Sequence, residues 1–159
     1  MAGSSPGDLR RTAILMLALD TNILVYAHRR ESRYHSTASD LLRTLAEGVN
    51  TWAIPWSCVY EFFSIVTNPR IWKDAASSPE QAWNQLDAWA CSPEHCFLGE
   101  TEEFFSVLKV FLLKPRVRGP IVHDARVAAV CVAHGIDELL TADRDFALFP
   151  ELSIRNPIA

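Results

Sequence analysis

The stretch Ala-Ile-Leu-Met-Leu-Ala-Leu-Asp, residues 13–20, decides how the rest of the chain is read. Its apolar run is continuous rather than alternating, the pattern of a strand covered on both faces of a parallel sheet. Residues 14–19 are predicted as that strand, with Asp20 at its carboxyl end. The polar residues 1–12, with Gly, Ser and Pro, read as a disordered leader ahead of one domain over 13–159, and Met16 is an alternative start. Arg10 and Arg11 before the apolar run imitate a secretion signal. The run is too short, ends in Asp20 and is followed by no small-residue cleavage site. No apolar run approaches the ~20 residues that span a membrane, so a soluble, cytoplasmic protein with no membrane association is expected.

Strands and helices then alternate. A short helix is predicted over 22–27 and another over 36–47, where Ala38, Leu41, Leu42 and Leu45 recur at helical spacing and Gly48 closes it. A strand over 52–54 leads through Pro55, suited to a first helical turn, into a helix over 56–67 that ends before Asn68-Pro69. Next come a helix over 79–90, a strand over 96–98, an amphipathic helix over 101–113 and the basic loop Lys114-Pro-Arg-Val-Arg-Gly-Pro. A small-residue helix over 124–134 stops at Gly135, followed by a strand over 138–141, a helical turn over 143–149 and an edge strand over 152–154. This order predicts an α/β fold, a three-layer α/β/α sandwich around a central, mainly parallel sheet of four or five strands.

In such a sheet, ligands bind beyond the carboxyl ends of the strands where the strand order reverses. If the first and fourth strands are neighbours, Asp20 and Asp143 sit there. Asp124 then arrives from a helix start and Glu61 from the body of its helix. Carboxylates this close repel one another and stay ionised together only around a divalent cation, and hard oxygen ligands favour Mg²⁺ or Mn²⁺. Taken singly, Asp20, Asp124 and Asp143 are equally readable as helix caps. Glu61, between Tyr60 and Phe62 on an apolar helix, is expected to be a carboxylate in need of a partner. Asp145 reads as exposed or capping, and His123 as a candidate substrate contact.

With 159 residues, 49% hydrophobic and 21% charged, the chain can bury one full core. A net charge of −4 excludes a surface that grips nucleic acid everywhere and leaves only local basic segments. Arg29, Arg30 and Arg33 form one such segment, and Lys114, Arg116 and Arg118 another; either is also readable as a solvated stretch. Trp52, Trp56, Trp72, Trp83 and Trp89 read as core or interface residues rather than base-stacking platforms. Cys58, Cys91, Cys96 and Cys131 form no Cys-x-x-Cys pair and read as free thiols. Cys91, His95 and Cys96 lack a fourth ligand for zinc.

Four motifs in order complete the reading: Leu-Asp-Thr-Asn-Ile-Leu-Val-Tyr (19–26), Glu-Phe-Phe-Ser-Ile-Val-Thr-Asn-Pro-Arg-Ile-Trp (61–72), His-Asp-Ala-Arg-Val-Ala-Ala (123–129) and Thr-Ala-Asp-Arg-Asp-Phe (141–146). Together they resemble the PIN-domain nucleases, specifically the VapC-type toxins of bacterial toxin–antitoxin pairs. Phe149-Pro150 and Asn156-Pro157-Ile158 resemble the tail of one VapC subgroup, whereas 91–118 match only loosely and Cys131 interrupts the Ala-rich helix. The resemblance implies that Asp20, Glu61, Asp124 and Asp143 form a catalytic, metal-holding quartet, with Asp20 and Asp124 direct ligands and Asn22 and Thr141 supporting them. It further implies Mg²⁺-dependent RNA cleavage (Mn²⁺ substituting), a cognate VapB-type antitoxin and a homodimer. Arg29, Arg30 and Arg33 are then the candidate RNA-binding residues.

Rival folds fit less well. A haloacid-dehalogenase-like phosphatase needs a second Asp two residues after the first, where this chain has Asn22. A receiver domain needs a Lys after a late strand and offers no reason for Glu61. Within the resemblance, the alternatives are a catalytically inactive PIN fold that only binds protein, and a PIN-type RNA-processing nuclease outside any toxin–antitoxin pair.

Overall fold

The computed structural model describes residues 14–159. The predicted leader, 1–12, therefore lies outside the described residues. Five strands form one sheet in the order β3-β2-β1-β4-β5, every neighbouring pair parallel: β1 (Met16–Leu19), β2 (Thr51–Pro55), β3 (His95–Leu98), β4 (Glu138–Leu140) and β5 (Ile154–Arg155). Seven α-helices accompany them: α1 (Thr21–His28), α2 (His35–Glu47), α3 (Trp56–Val66), α4 (Pro69–Trp72), α5 (Pro79–Ala90), α6 (Glu102–Leu112) and α7 (Ile121–Ala133). Short 3₁₀ turns span Lys73–Ala75 and Arg144–Leu148.

The strand order determines which helices share a face. From β1 the chain steps outward to β2 and β3, then returns past β1 to β4 and β5. Right-handed crossovers therefore put α1–α5 on one face of the sheet and α6–α7 on the other. Helix contacts follow that division, α1 packing on α2 and α3, α3 on α5, and α6 on α7. The sheet is thus the middle of three layers, as predicted, and wholly parallel. Its central strands are buried on both sides: Ala18, Leu19, Trp52, Ala53, Ile54, Leu139 and Leu140 have no exposed surface.

Local chemistry explains where elements begin and stop. β1 is shorter than the apolar run because its neighbours pair only from Met16 onward, and Ile14 and Leu15 are left exposed. Pro55 ends β2 instead of entering the helix, and serves as the N-cap of α3. α5 starts with a reciprocal cap in which Gln81 N–H donates to Ser78 Oγ while Ser78 N–H donates to Gln81 Oε1. After Asn68 the chain resumes as α4, because the Asn68 side chain caps Arg70 N–H and Pro69 fits the first helical position. Gly135 lies at φ +68°, a left-handed conformation suited to glycine at the end of α7.

α7 differs most usefully from its prediction. It begins at Ile121, three residues before Asp124, because Gly119-Pro120 already turns the chain and Val122 N–H and His123 N–H donate to Gly119 and Pro120 carbonyls. Asp124 is therefore not an N-cap but a residue within the first turn. Its carboxylate sits near the positive end of the helix. No helix among the described residues is long and apolar enough to cross a membrane.

Candidate metal centre

β1 and β4 lie side by side, Leu19 opposite Leu140, and Asp20 N–H donates to the Leu140 carbonyl at 3.0 Å. This is the point where strand order reverses, and a cavity of about 560 Å³ opens beyond the two strand ends. Its wall holds Asp20, Glu61, Asp124, Asp143 and Asp145, together with Thr21, Asn22, Ser57 and His123. The five carboxylates come from four separate segments. Asp20 follows β1, Glu61 rides on α3 from one face of the sheet, Asp124 comes on α7 from the other, and Asp143 and Asp145 follow β4. The predicted quartet and its two supporting polar residues are all brought together.

Asp20 is the most fixed of them. Buried at 7% exposure, its Oδ2 accepts from Thr141 Oγ1 at 2.7 Å and Asn22 Nδ2 at 3.2 Å, and its Oδ1 from Thr21 N–H at 2.8 Å. Cys58 Sγ also reaches Oδ1, at 3.7 Å. Thr141 Oγ1 in turn accepts from Asp143 N–H, and Asn22 Oδ1 from Ala142 N–H, which ties the loop after β4 to the start of α1. Burial raises the Asp20 carboxyl above its usual range against those hydrogen bonds, and the charges of Glu61 and Asp143 push the same way.

The same repulsion acts on Asp124. Partial burial, then the charges of Asp143, Asp20, Asp145 and Glu61, push its carboxyl from 3.8 up to about 7. Oxygens of Asp124, Asp143 and Asp145 all lie within 4.8 Å of one another. Asp143 also does what its isolated reading suggested, capping the turn by accepting from Asp145 N–H at 2.9 Å.

Two expectations change. Glu61 is exposed, facing the cavity instead of the apolar interior, and its one contact is Thr21 Oγ1 at 3.2 Å. The apolar neighbours misled because Phe62 points the other way, into the core. Asp145, read as a capping or exposed residue, is exposed yet joins the acidic cluster, because the tight turn after Asp143 carries both side chains to one side. Asp143-Arg-Asp145 held that signal. Thr21 and Cys58 were missed outright, and Thr21 was legible as the neighbour of Asp20.

The arginine segment does not reach this cavity. Arg29 is 6% exposed, stacks on Trp72 with its guanidinium 4.0 Å from the ring centre, donates to the Ala75 carbonyl and Ser77, and pairs with Glu31. It anchors α4 and the turn beyond it, with most of its donors taken up inside the protein. Arg30 and Arg33 are exposed, but they follow the far end of α1, ~12 Å along its axis from Asp20. In the second basic loop, Lys114 is paired with Glu151. Trp52 and Trp89 are core residues, whereas Trp56 and Trp83 are exposed.

The donor set tests which ion fits. The candidate ligands are oxygens, mostly carboxylate, with His123 the one nitrogen donor in the wall, and no lysine or arginine lines the cavity. Such a set suits Mg²⁺ or Mn²⁺ and not a soft metal. The four cysteines are free thiols, and among the described residues the acidic group is the one cluster of three potential metal-binding side chains.

Comparison with known proteins converges on the same ground. The PIN domain matches residues 17–152. Ribonuclease VapC43 of Mycobacterium tuberculosis is 33% identical over 90% of this chain and 96% of its own length, and Ribonuclease VapC48 of the same organism 29% identical over 88% and 96%. Among solved structures, VapBC2 from Rickettsia felis, bound to a DNA fragment from its promoter, superposes with a TM-score of 0.63 at 23% identity, covering 89% of this chain and 98% of the other. VapC20 of M. tuberculosis, a Sarcin-Ricin loop cleaving toxin, gives 0.63 at 18% identity, covering 88% and 99%.

Proposed function

The chain belongs to the PIN-domain family, alongside the VapC ribonucleases, and from that premise we propose that it is a cytoplasmic, Mg²⁺-dependent endoribonuclease, the toxin of a VapBC-type pair. The observation that carries this reading is the convergence of five carboxylates in one cavity that no lysine or arginine lines. Left alone, those charges cost folding energy, as the raised Asp124 carboxyl reports. A divalent cation removes that cost.

Asp20 and Asp124 would hold the ion, with Asp143, Asp145 and Glu61 completing its surroundings or holding a second one. When bound, the ion supplies Lewis-acid activation of water and neutralises charge building on the phosphate. Thr141, Asn22 and Thr21 N–H keep the Asp20 carboxylate in one orientation, so the ligand geometry is set before substrate arrives. Glu61, tethered through Thr21 Oγ1 and otherwise open to solvent, would orient the attacking water. Water attack would leave a 5′-phosphate and a 3′-hydroxyl. A VapB-type antitoxin and a second copy of the chain are the proposed protein partners; exposed Trp83, Phe105 and Leu113 offer apolar surface for such contacts.

The test is Mg²⁺-dependent cleavage of RNA by purified wild type and Asp20→Asn. Loss of ~100-fold or more with an unchanged circular dichroism spectrum is expected. Equal cleavage by the two proteins would reject the assignment.

A further inference from the structure

We propose that a second cleft, beside the acidic cavity, seats one unpaired nucleobase of the RNA next to the bond being cut. This deepens the ribonuclease reading and rests on it. The cleft, about 250 Å³, is lined by Trp56, Ser57, Tyr60, Gly99, Glu100 and Arg126 among others. It is smaller than the ~300–1,000 Å³ that holds a drug-sized ligand, a size suited to one base and too small for a helix.

Two helices build both cavities. On α3, Ser57, Glu61 and Ile65 form one i, i+4 row facing the acids, while Trp56 and Tyr60 form the adjacent row facing the second cleft. On α7, His123, Asp124 and Val127 face the acids, while Arg126 and Val130 face the cleft. Ser57 belongs to the wall of both, and its hydroxyl is buried with no hydrogen-bond partner in the protein.

The cleft has the chemistry of base recognition. Trp56 is stacked against Phe97 at 4.2 Å and 20°, which holds its ring rigid from behind while 40% of the residue stays exposed. Tyr60 lies nearly parallel to Trp56, 6.5 Å away, and is 64% exposed. These rings extend a stacking surface along the edge of the acidic cavity. Arg126, held by Glu100 at 2.8 Å, sets a donor and an acceptor together on the wall, as the polar edge of a base requires. Gly99 adds no side chain to the floor. A strand whose phosphate lies over the acids would therefore place its neighbouring base on Trp56, so the cleft would bias where RNA is cut.

The experiment measures binding, so it is read independently of whether the protein cleaves. Fluorescence anisotropy with a labelled single-stranded oligoribonucleotide is recorded for the full chain carrying Asp124→Asn, then with Trp56→Ala, Tyr60→Ala or Gly99→Val added, and with abasic substitutions along the oligonucleotide. Each added change is expected to weaken binding about tenfold. One abasic position should weaken it equally in the parent and have no further effect with Trp56→Ala. Gly99→Val keeps both aromatic residues and adds bulk beside Trp56, whose Cδ1 lies 3.7 Å from where the new Cβ would stand. Affinity within twofold of the parent for all three variants, or absence of RNA binding by the parent, overturns the proposal. So does sedimentation showing that Trp56→Ala dissociates a dimer, which would make this face a contact between copies.

Discussion

Replacing Asp124 by Asn should stabilise the metal-free protein at alkaline pH while destroying its proposed site. The Asp124 carboxyl moves from 3.8 to about 7 on folding, because burial and then four negative neighbours disfavour its charge. Between those values the native state keeps a proton that the unfolded state has released. The contribution of this proton is full below pH 3.8 and is lost as pH rises through about 7. At about 1.4 kcal/mol per pH unit the upper bound is ~4 kcal/mol. Because roughly half of the side chain faces solvent, screening reduces this to ~1–2 kcal/mol. Thermal unfolding followed by circular dichroism in chelator should place Asp124→Asn ~3–6 °C above wild type at pH 8, with the two converging only below pH 3.8. Millimolar Mg²⁺ or Mn²⁺ should reverse the order at pH 8, because mass action stabilises wild type by ~2.7 kcal/mol at one hundred times the dissociation constant. A variant less stable than wild type by the same amount at every pH would refute the repulsion argument. So would a wild type indifferent to both ions.

Thr141→Val should remove a hydrogen bond that lowers the Asp20 carboxyl and leave buried polar groups unpaired, destabilising by ~1–3 kcal/mol in urea unfolding and moving the acidic limb of the pH–rate profile to higher pH. Arg29→Ala should cost ~1–3 kcal/mol of stability in the same assay and leave the cleavage rate of the folded protein within about twofold of wild type, since the guanidinium stacks on Trp72 away from the acids. Asp145→Asn should weaken metal affinity in a thermal-shift titration, yet at saturating Mg²⁺ cleave better than Asp20→Asn, because Asp145 is exposed and its main-chain link to Asp143 survives.

The sheet was legible because parallel strands carry an unambiguous signal. The continuous apolar run ending at Asp20 and the Leu139-Leu140 pair before Thr141 marked two strands, and ligands gather beyond the carboxyl ends of such strands. Neighbouring β1 and β4 was only a condition in the sequence, since nothing local records which strand pairs with which. The orientation of Glu61 was illegible for a similar reason. Its helix has apolar residues on most sides, Tyr60 exposed and Phe62 buried, and only the packed structure distinguishes their directions. Arg29 looked like a surface cation because its partners, Trp72, Ala75 and Ser77, lie more than forty positions on. Asp145 was discounted because single aspartates in turns are common; its meaning came from proximity to Asp124, set by the meeting of α7 with the loop after β4.

The pairing of β1 with β4 also has a consequence for synthesis on the ribosome. Asp20 is made 121 residues before Thr141, the threonine that orients its carboxylate, and well before β4, the strand beside it. A nascent chain ending before Glu138 already carries Asp20, Glu61 and Asp124, yet has nothing against which to close that edge of β1. Closing that edge of the site is thus a long-range step in folding, possible only after the intervening residues have been synthesised.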